Sequence, residues 1–246
     1  TDVITVPVSD TVSVTELNTI AGKTGGPVTA TVTTGNTASF SALATDSNDI
    51  ITINISDNPS VSDLNTIAGK TGGVVTATLA TGNTASYSAL NTASTDVITI
   101  NINDNPSVTN LNTIAGKTAG VVTATLATGA LSTFSALSTS GTDQITVNVN
   151  DADGVDLNAT DLSALGAKTA AAVNVTEAVD ISGTTAEVTA ALVTTGSLVL
   201  VADANVSISD NPTINELNNI AAKTTGVVTA TLASTSAADL ASLSTA

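Results

Sequence analysis

One stretch of the chain contains a whole structural unit: residues 49–80 read DIITINISDNPSVSDLNTIAGKTGGVVTATLA. Apolar and polar residues alternate at the start of this stretch, which is typical of a strand with one buried face. We expect Ile51, Ile53 and Ile55 on that buried face, with Thr52 opposite. The unit therefore begins with a half-buried strand.

A turn, a helix and a second strand follow. Asp57-Asn58-Pro59 ends the first strand, because proline lacks a ladder donor and Asx residues favour turns. Residues 62–70 predict a helix of about two turns, with Ser62 as the N-cap. Residues 74–80 alternate again and predict a strand whose inward side chains are Val75, Ala77 and Leu79. Residues 85–90 then predict another short helical segment.

The unit is repeated along the chain. Lysines stand at 23, 70, 117, 168 and 223, with spacings of 47, 47, 51 and 55 residues. A repeat of this length indicates a protein built from stacked supersecondary units. We predict one array of five repeats, at residues 1–44, 45–91, 92–138, 139–196 and 197–246, in which the fourth is irregular and its insertions form surface loops.

Successive strands that are joined by a helix should be parallel. The predicted fold class is therefore a repeat protein: a parallel β-solenoid with short helices between its strands. Tandem β-sandwich modules are the alternative. Each repeat divides into two strand–helix halves, so one coil of the solenoid contains either a whole repeat or a half-repeat.

Composition excludes several functions. The chain has no Cys, His, Met or Trp and only three aromatic residues, which removes disulfides, imidazole catalysis and the usual zinc ligands. We therefore expect no enzymatic activity. A net charge of −16 disfavours binding to nucleic acid or to an anionic membrane surface. No apolar run approaches the length of a membrane helix, so membrane insertion is not expected.

Two sets of charged residues are candidate sites. The five lysines follow predicted helix ends, where a cation balances the negative helix terminus, so their expected role is structural. An acidic insertion around Gly154 concentrates oxygen ligands of the kind that calcium prefers, and it is the one predicted metal site. Its alternative role is a solvated acidic loop, and no other cofactor is expected. The proposed ligands are Asp151, Asp153, Asp156, Asn158 and Asp161.

The strings NPSVSDLNTI at residues 58–67 and TGGVVTATL at residues 71–79 resemble repeats of very large secreted or cell-surface proteins of cyanobacteria. This resemblance covers all five repeats and implies an extracellular or cell-surface location. Some of those proteins also carry calcium-binding glycine–aspartate nonapeptides. That nonapeptide is missing here, so calcium-dependent folding does not follow from the resemblance.

The expected function is structural. Residues 241–246 and 1–5 match the internal residues 89–94 and 95–99, so one chain would continue in register into another. We predict an extracellular protein that forms a fibre, sheath or surface layer by head-to-tail stacking, as a homo-oligomer or filament. The alternative is a spacer segment of a long adhesin, and surface polysaccharide is a further candidate partner. Outward Thr-Xaa-Thr pairs such as Thr76 and Thr78 also resemble the face of ice-binding solenoids.

Overall fold

The computed structural model describes residues 2–196 and 199–244. Short strands alternate with short helices, and the strand pairs are parallel. The chain forms two compact units, residues 1–104 with 110–123 and residues 105–109 with 124–246. This is an α/β fold, whereas the sandwich alternative requires antiparallel pairing.

The strands are two to seven residues long. They are β1 (Val6–Val12), β2 (Val28–Val32), β3 (Ile50–Asn54), β4 (Val75–Thr78), β5 (Val97–Asn101), β6 (Val122–Thr125), β7 (Gln144–Val149), β8 (Asp156–Asn158), β9 (Val173–Val175), β10 (Asp180–Gly183), β11 (Val199–Val201), β12 (Asn205–Ile208) and β13 (Val228–Thr229).

The helices between them have at most eight residues. They are α1 (Val14–Ala21), α2 (Thr37–Ser41), α3 (Val61–Ala68), α4 (Thr84–Tyr87), α5 (Val108–Ala115), α6 (Leu131–Phe134), α7 (Ala159–Gly166), α8 (Thr185–Val188), α9 (Ile214–Ala221) and α10 (Ala237–Leu240), and a π-helical turn at Thr189–Val193 follows α8.

In the first unit, strands β1 to β6 pair in the order in which they occur in the chain. Strands β3 and β5 use their first half for the strand before them and their second half for the strand after them. For example, β3 pairs with β2 through residues 50–52 and with β4 through residues 53–54. Each strand–helix unit therefore contacts its sequence neighbours.

The predicted alternation of the strands is confirmed. Ile51 and Ile53 are fully buried, and Ile55 is nearly so. Val75, Ala77 and Leu79 are buried on the next strand, as the pattern indicates. The helices complete this core through buried leucine and isoleucine side chains and through one buried aromatic residue from each of α2, α4 and α6.

The predicted helix start is two residues too late. The N-cap of α3 is Ser60, whose hydroxyl oxygen accepts a hydrogen bond from the amide of Asp63. The same position caps α1 with Ser13 and α9 with Thr213. In α3 the cap directly follows the Asp57-Asn58-Pro59 turn. The sequence pattern therefore assigns Ser60 to the turn and favours Ser62 as the N-cap.

The second unit contains two parallel sets of strands. Strands β7, β9 and β11 form one set, and β8, β10, β12 and β13 form the other. The insertions of the fourth repeat were expected as loops, but they contribute strands β8 and β10. Within the described residues, no helix is long and apolar enough to cross a membrane.

Candidate functional site

The threonine that follows each repeated lysine links neighbouring strand–helix units. The Thr71 hydroxyl oxygen accepts hydrogen bonds from the amides of Ile51 at 2.7 Å and Gly73 at 2.8 Å. The hydroxyl is also within donating distance of the carbonyls of Ile51 at 2.9 Å and Asp49 at 3.1 Å. Thr71 is buried, so this one hydroxyl satisfies backbone groups that water cannot reach.

The other repeats use the same link. Thr118 accepts from the amides of Ile98 and Gly120, both at 2.7 Å. Thr169 accepts from the amide of Ile145 at 2.8 Å. Thr24 makes the corresponding contacts in the first repeat. In the last repeat Thr224 accepts from the amide of Gly226 and donates to the carbonyl of Ala204. Sequence analysis did not single out this threonine, although it makes an inter-unit contact in all five repeats.

Glycine at position 73 allows this close approach. A Cβ atom there would lie 2.5 Å from the carbonyl oxygen of Ile51, which is backbone and cannot turn away. Gly26, Gly120 and Gly226 face the preceding unit in the same way. The fourth repeat has Ala171 at this position. Close backbone contact is therefore a property of the regular repeats.

Buried aspartates form a second link between units. The Asp49 carboxylate accepts from the amide of Val28 at 2.8 Å, and the Asp96 carboxylate accepts from the amide of Val75 at 2.8 Å. In each pair the amide belongs to the start of the preceding strand. A charged acceptor in a buried setting makes a strong hydrogen bond, so these aspartates fix where each strand begins against the next.

A third link joins the turn after one strand to the helix of the preceding unit. The Asp57 carboxylate accepts from the hydroxyl of Thr37 at 2.7 Å and from its amide at 2.9 Å, at the start of α2. These two bonds lower the pKa of Asp57, and the bond from the hydroxyl has the larger effect. Asp104 and Asp210 have a lowered pKa for the same reason, through Thr84 and Thr185. The sequence presented these aspartates only as strand terminators.

Asparagine in the Leu-Asn-Thr motif makes a fourth link. The Asn65 amide group donates to the Ala89 carbonyl at 2.7 Å, and its oxygen accepts from the amide of Asn91 at 2.8 Å. Asn18 and Asn218 bind the following turn in the same two-way fashion. A side-chain amide suits this position because it is both a donor and an acceptor.

Lys70 acts on a different helix from the expected one. The Lys70 ammonium group donates to the carbonyls of Ser41 at 2.9 Å and Leu43 at 2.5 Å. These carbonyls stand at the C-terminal end of α2, in the preceding unit, rather than at the end of the lysine's own helix. The electrostatic reason is the predicted one, since a cation is favourable at a helix C-terminus.

The predicted calcium ligands have separate hydrogen-bonding roles. The Asp151 carboxylate accepts from the amide of Leu131 at 2.7 Å, which is the helix-start link described for Asp57. Asp153 accepts from the amide of Ala178 at 3.1 Å, and Asn158 caps α7 through the amide of Thr160. Asp156 lies in β8 and Asp161 in the first turn of α7. Across residues 2–196 and 199–244, no three acidic side chains come together as a metal site would require.

Four of these five residues nevertheless border one cavity of about 520 Å³ in the second unit, and Asp153 does not. Phe134, Leu137, Leu157 and Leu165 supply apolar walls, and Lys168 is a further lining residue. In repeat 2 a buried proline, Pro59, precedes the helix, whereas the fourth repeat has the insertion around Gly154 instead. Gly154 has a φ of 72°, so the insertion turns through a left-handed conformation.

Comparison with known proteins gives no family. No protein-family model, curated protein or solved structure matches the chain. Its function must therefore be inferred from its own contacts. The richest set of specific contacts is the repeated linkage between neighbouring units.

Proposed function

We propose that the chain is an extracellular structural protein, a parallel solenoid that builds a fibre, sheath or surface layer by head-to-tail stacking. The observation that carries this proposal is the set of links just described. Thr71, Asp49, Asp57 and Asn65 all direct their polar groups at a neighbouring strand–helix unit. The chemistry of the chain is thus directed to joining repeats to each other.

The links are modular, which supports stacking. The same donors and acceptors recur at equivalent positions, as in the pairs Thr71–Ile51 and Thr118–Ile98. Any unit that carries these residues can adjoin any other in the same register. Solenoids assembled from such nearest-neighbour interfaces grow without needing a new type of contact.

Composition and resemblance support the extracellular location. An acidic chain without Cys or Met suits a surface where oxidation occurs. The resemblance to large secreted or cell-surface repeat proteins of cyanobacteria points the same way. Surface polysaccharide is a candidate partner in such a setting.

A spacer segment of a long adhesin is the second candidate. It uses the same internal links, but its neighbours belong to one covalent chain. An ice-binding face is the third, and one observation favours it. Outward threonines face each other on adjacent strands, in the pairs Thr31 with Thr52 and Thr78 with Thr99. Threonine also suits an exposed strand surface for its propensity alone, so these pairs rank below the linkage as evidence.

Sedimentation velocity of the purified chain over a wide range of concentrations distinguishes the three candidates. Stacking predicts species that grow with concentration, whereas the spacer predicts a monomer throughout. Thermal hysteresis in a monomeric sample would favour the ice-binding face. A monomer without thermal hysteresis would overturn the stacking proposal and leave the spacer.

A further inference from the structure

The first strand–helix unit leaves apolar surface uncovered. Ile4 is 54% exposed, whereas its equivalents Ile51, Ile98 and Ile145 are fully buried. Each buried equivalent lies against the strand of a preceding unit, as Ile51 does against Ala30. The position is therefore built for contact with a strand.

The last unit leaves the complementary surface uncovered. Leu240 and Leu243 are 44% and 38% exposed. Their equivalents in the second repeat, Tyr87 and Leu90, are 3% and 4% exposed. Within the described residues, two different faces are thus exposed where the internal repeats are covered, and each is the face that the other covers inside the array.

Polar groups at these faces match in the same way. The carboxylates of Asp49 and Asp96 are buried and accept the first amide of the preceding strand. Asp2 occupies the equivalent position, and its carbonyl already accepts from Gly25 at 2.8 Å as that of Asp49 does from Gly72 at 2.7 Å. The Asp2 side chain is exposed. The equivalent of the Val28 amide at the other face is the amide of Val228.

We infer that the exposed face at Asp2 and Ile4 docks the face at Val228, Leu240 and Leu243 of a second molecule of this chain, in the register of β2 on β3. This inference rests on the proposed stacking function and names its interface. In that register residues 229–231 pair with residues 3–5, because Thr29 pairs with Ile50 and Thr31 with Thr52. The Asp2 carboxylate of one molecule accepts from the Val228 amide of the other.

Proline at position 7 agrees with this register. Pro7 has no amide proton, and β1 is irregular between Pro7 and Thr11. The amide of Val6 donates to Pro27 within the molecule, so the backbone nitrogen of the next residue faces the open edge. Such features limit pairing at an edge strand. The docked segment, residues 3–5, lies entirely before Pro7 and the irregular part of β1. The interface is therefore short and specific.

Engineered disulfides test the register, and the absence of native cysteine makes the readout clean. Thr5 and Thr231 should face each other across the interface, as Thr31 faces Thr52 within one molecule. Directly opposed residues on adjacent strands lie within the Cα separation that a disulfide bridges. The test variant is Thr5→Cys/Thr231→Cys, and the matched control is Thr31→Cys/Thr52→Cys.

On mild oxidation the test variant should give a covalent ladder of dimers, trimers and longer species. The control should close within one chain and remain a monomer on a non-reducing gel. A mixture of the two single variants should stop at dimers, and Thr5→Cys alone should give none, because the contact joins two different faces.

A substitution tests the carboxylate. Asp2→Ala should weaken association about 10- to 100-fold, since it removes a charge-assisted hydrogen bond. Asp203→Ala removes the same charge from another exposed aspartate and should leave association unchanged. Equal effects of the two variants would overturn the role of Asp2.

The outcomes separate this inference from the proposal beneath it. Growing species in sedimentation without a disulfide ladder would overturn the docking register and leave the stacking function in place. A wild-type chain that is monomeric at every concentration would overturn both.

Discussion

Replacing Thr71 with valine tests the account of the internal links. Valine keeps the shape of the side chain but cannot accept from the amides of Ile51 and Gly73, which now donate at 2.7 and 2.8 Å. The Ile51 amide is buried and would lose the hydroxyl that now accepts its hydrogen bond, at a cost of about 1–3 kcal/mol. The partly buried Gly73 amide adds about 1 kcal/mol. We expect the free energy of unfolding to fall by about 2–4 kcal/mol.

Urea denaturation and amide hydrogen exchange together measure this effect. Because the units of a repeat protein can open locally, exchange at Ile51 is the more specific probe, and it should accelerate about 30- to 1,000-fold. Thr66→Val is the matched control, since that hydroxyl is exposed and bonds only to Ser62 in its own helix. If Thr71→Val and Thr66→Val have the same stability and the same exchange at Ile51, the hydroxyl link is not structural.

Three further predictions concern Gly73, Asp57 and Tyr87. Gly73→Ala should destabilise the fold by about 1–3 kcal/mol in urea denaturation, because the new Cβ would collide with the Ile51 carbonyl. Gly69→Ala is the control: its Cβ would make ordinary contacts, so this variant should be neutral or slightly stabilising. Stability should fall as the pH drops below about 4, because the folded state lowers the pKa of Asp57 from 3.8 and its contribution is lost as the carboxylate is protonated. Asp57→Asn should make the acid limb of a pH series shallower. Tyr87→Phe should lower the free energy of unfolding by about 0.5–1.5 kcal/mol, because it removes the hydrogen bond from the hydroxyl to the Ala80 carbonyl. Burial raises the pKa of Tyr87 above 10.0, so the wild type, unlike the variant, should lose this contribution as the pH rises through the folded-state pKa. Equal loss of stability in both proteins at alkaline pH would contradict this prediction.

The strand faces could be predicted from the sequence because the pattern is simple. Ile51, Ile53 and Ile55 alternate with polar residues, and a period of two leaves only one way to bury them. Parallel pairing followed from the helices between strands, because such a crossover returns the chain in the same direction.

The linking residues could not be assigned in the same way. Thr71, Asp49 and Asn65 each act on a unit at least 20 residues away, and local patterning says nothing about such partners. Their signal in the sequence is recurrence at a fixed place, in all five repeats for the threonine and in four of the five for the aspartate and the asparagine. The helix start was also missed, because Ser60 and Ser62 are both capping types and only the backbone shows which one accepts the amide.

Calcium binding by the acidic insertion stays a prediction. Oxygen ligands clustered along the chain suggested calcium, but Asp151, Asp153 and Asn158 accept from three different backbone amides. A ligand set needs side chains that converge on one point, and spacing in sequence does not establish convergence.

Electron microscopy of the purified wild-type chain tests the central claim most directly. Stacking of parallel strands from molecule to molecule predicts filaments with a repeat of about 4.8 Å along their axis, which is the spacing of neighbouring strands. Discrete single particles at every concentration, with no filament and no such repeat, would contradict the claim.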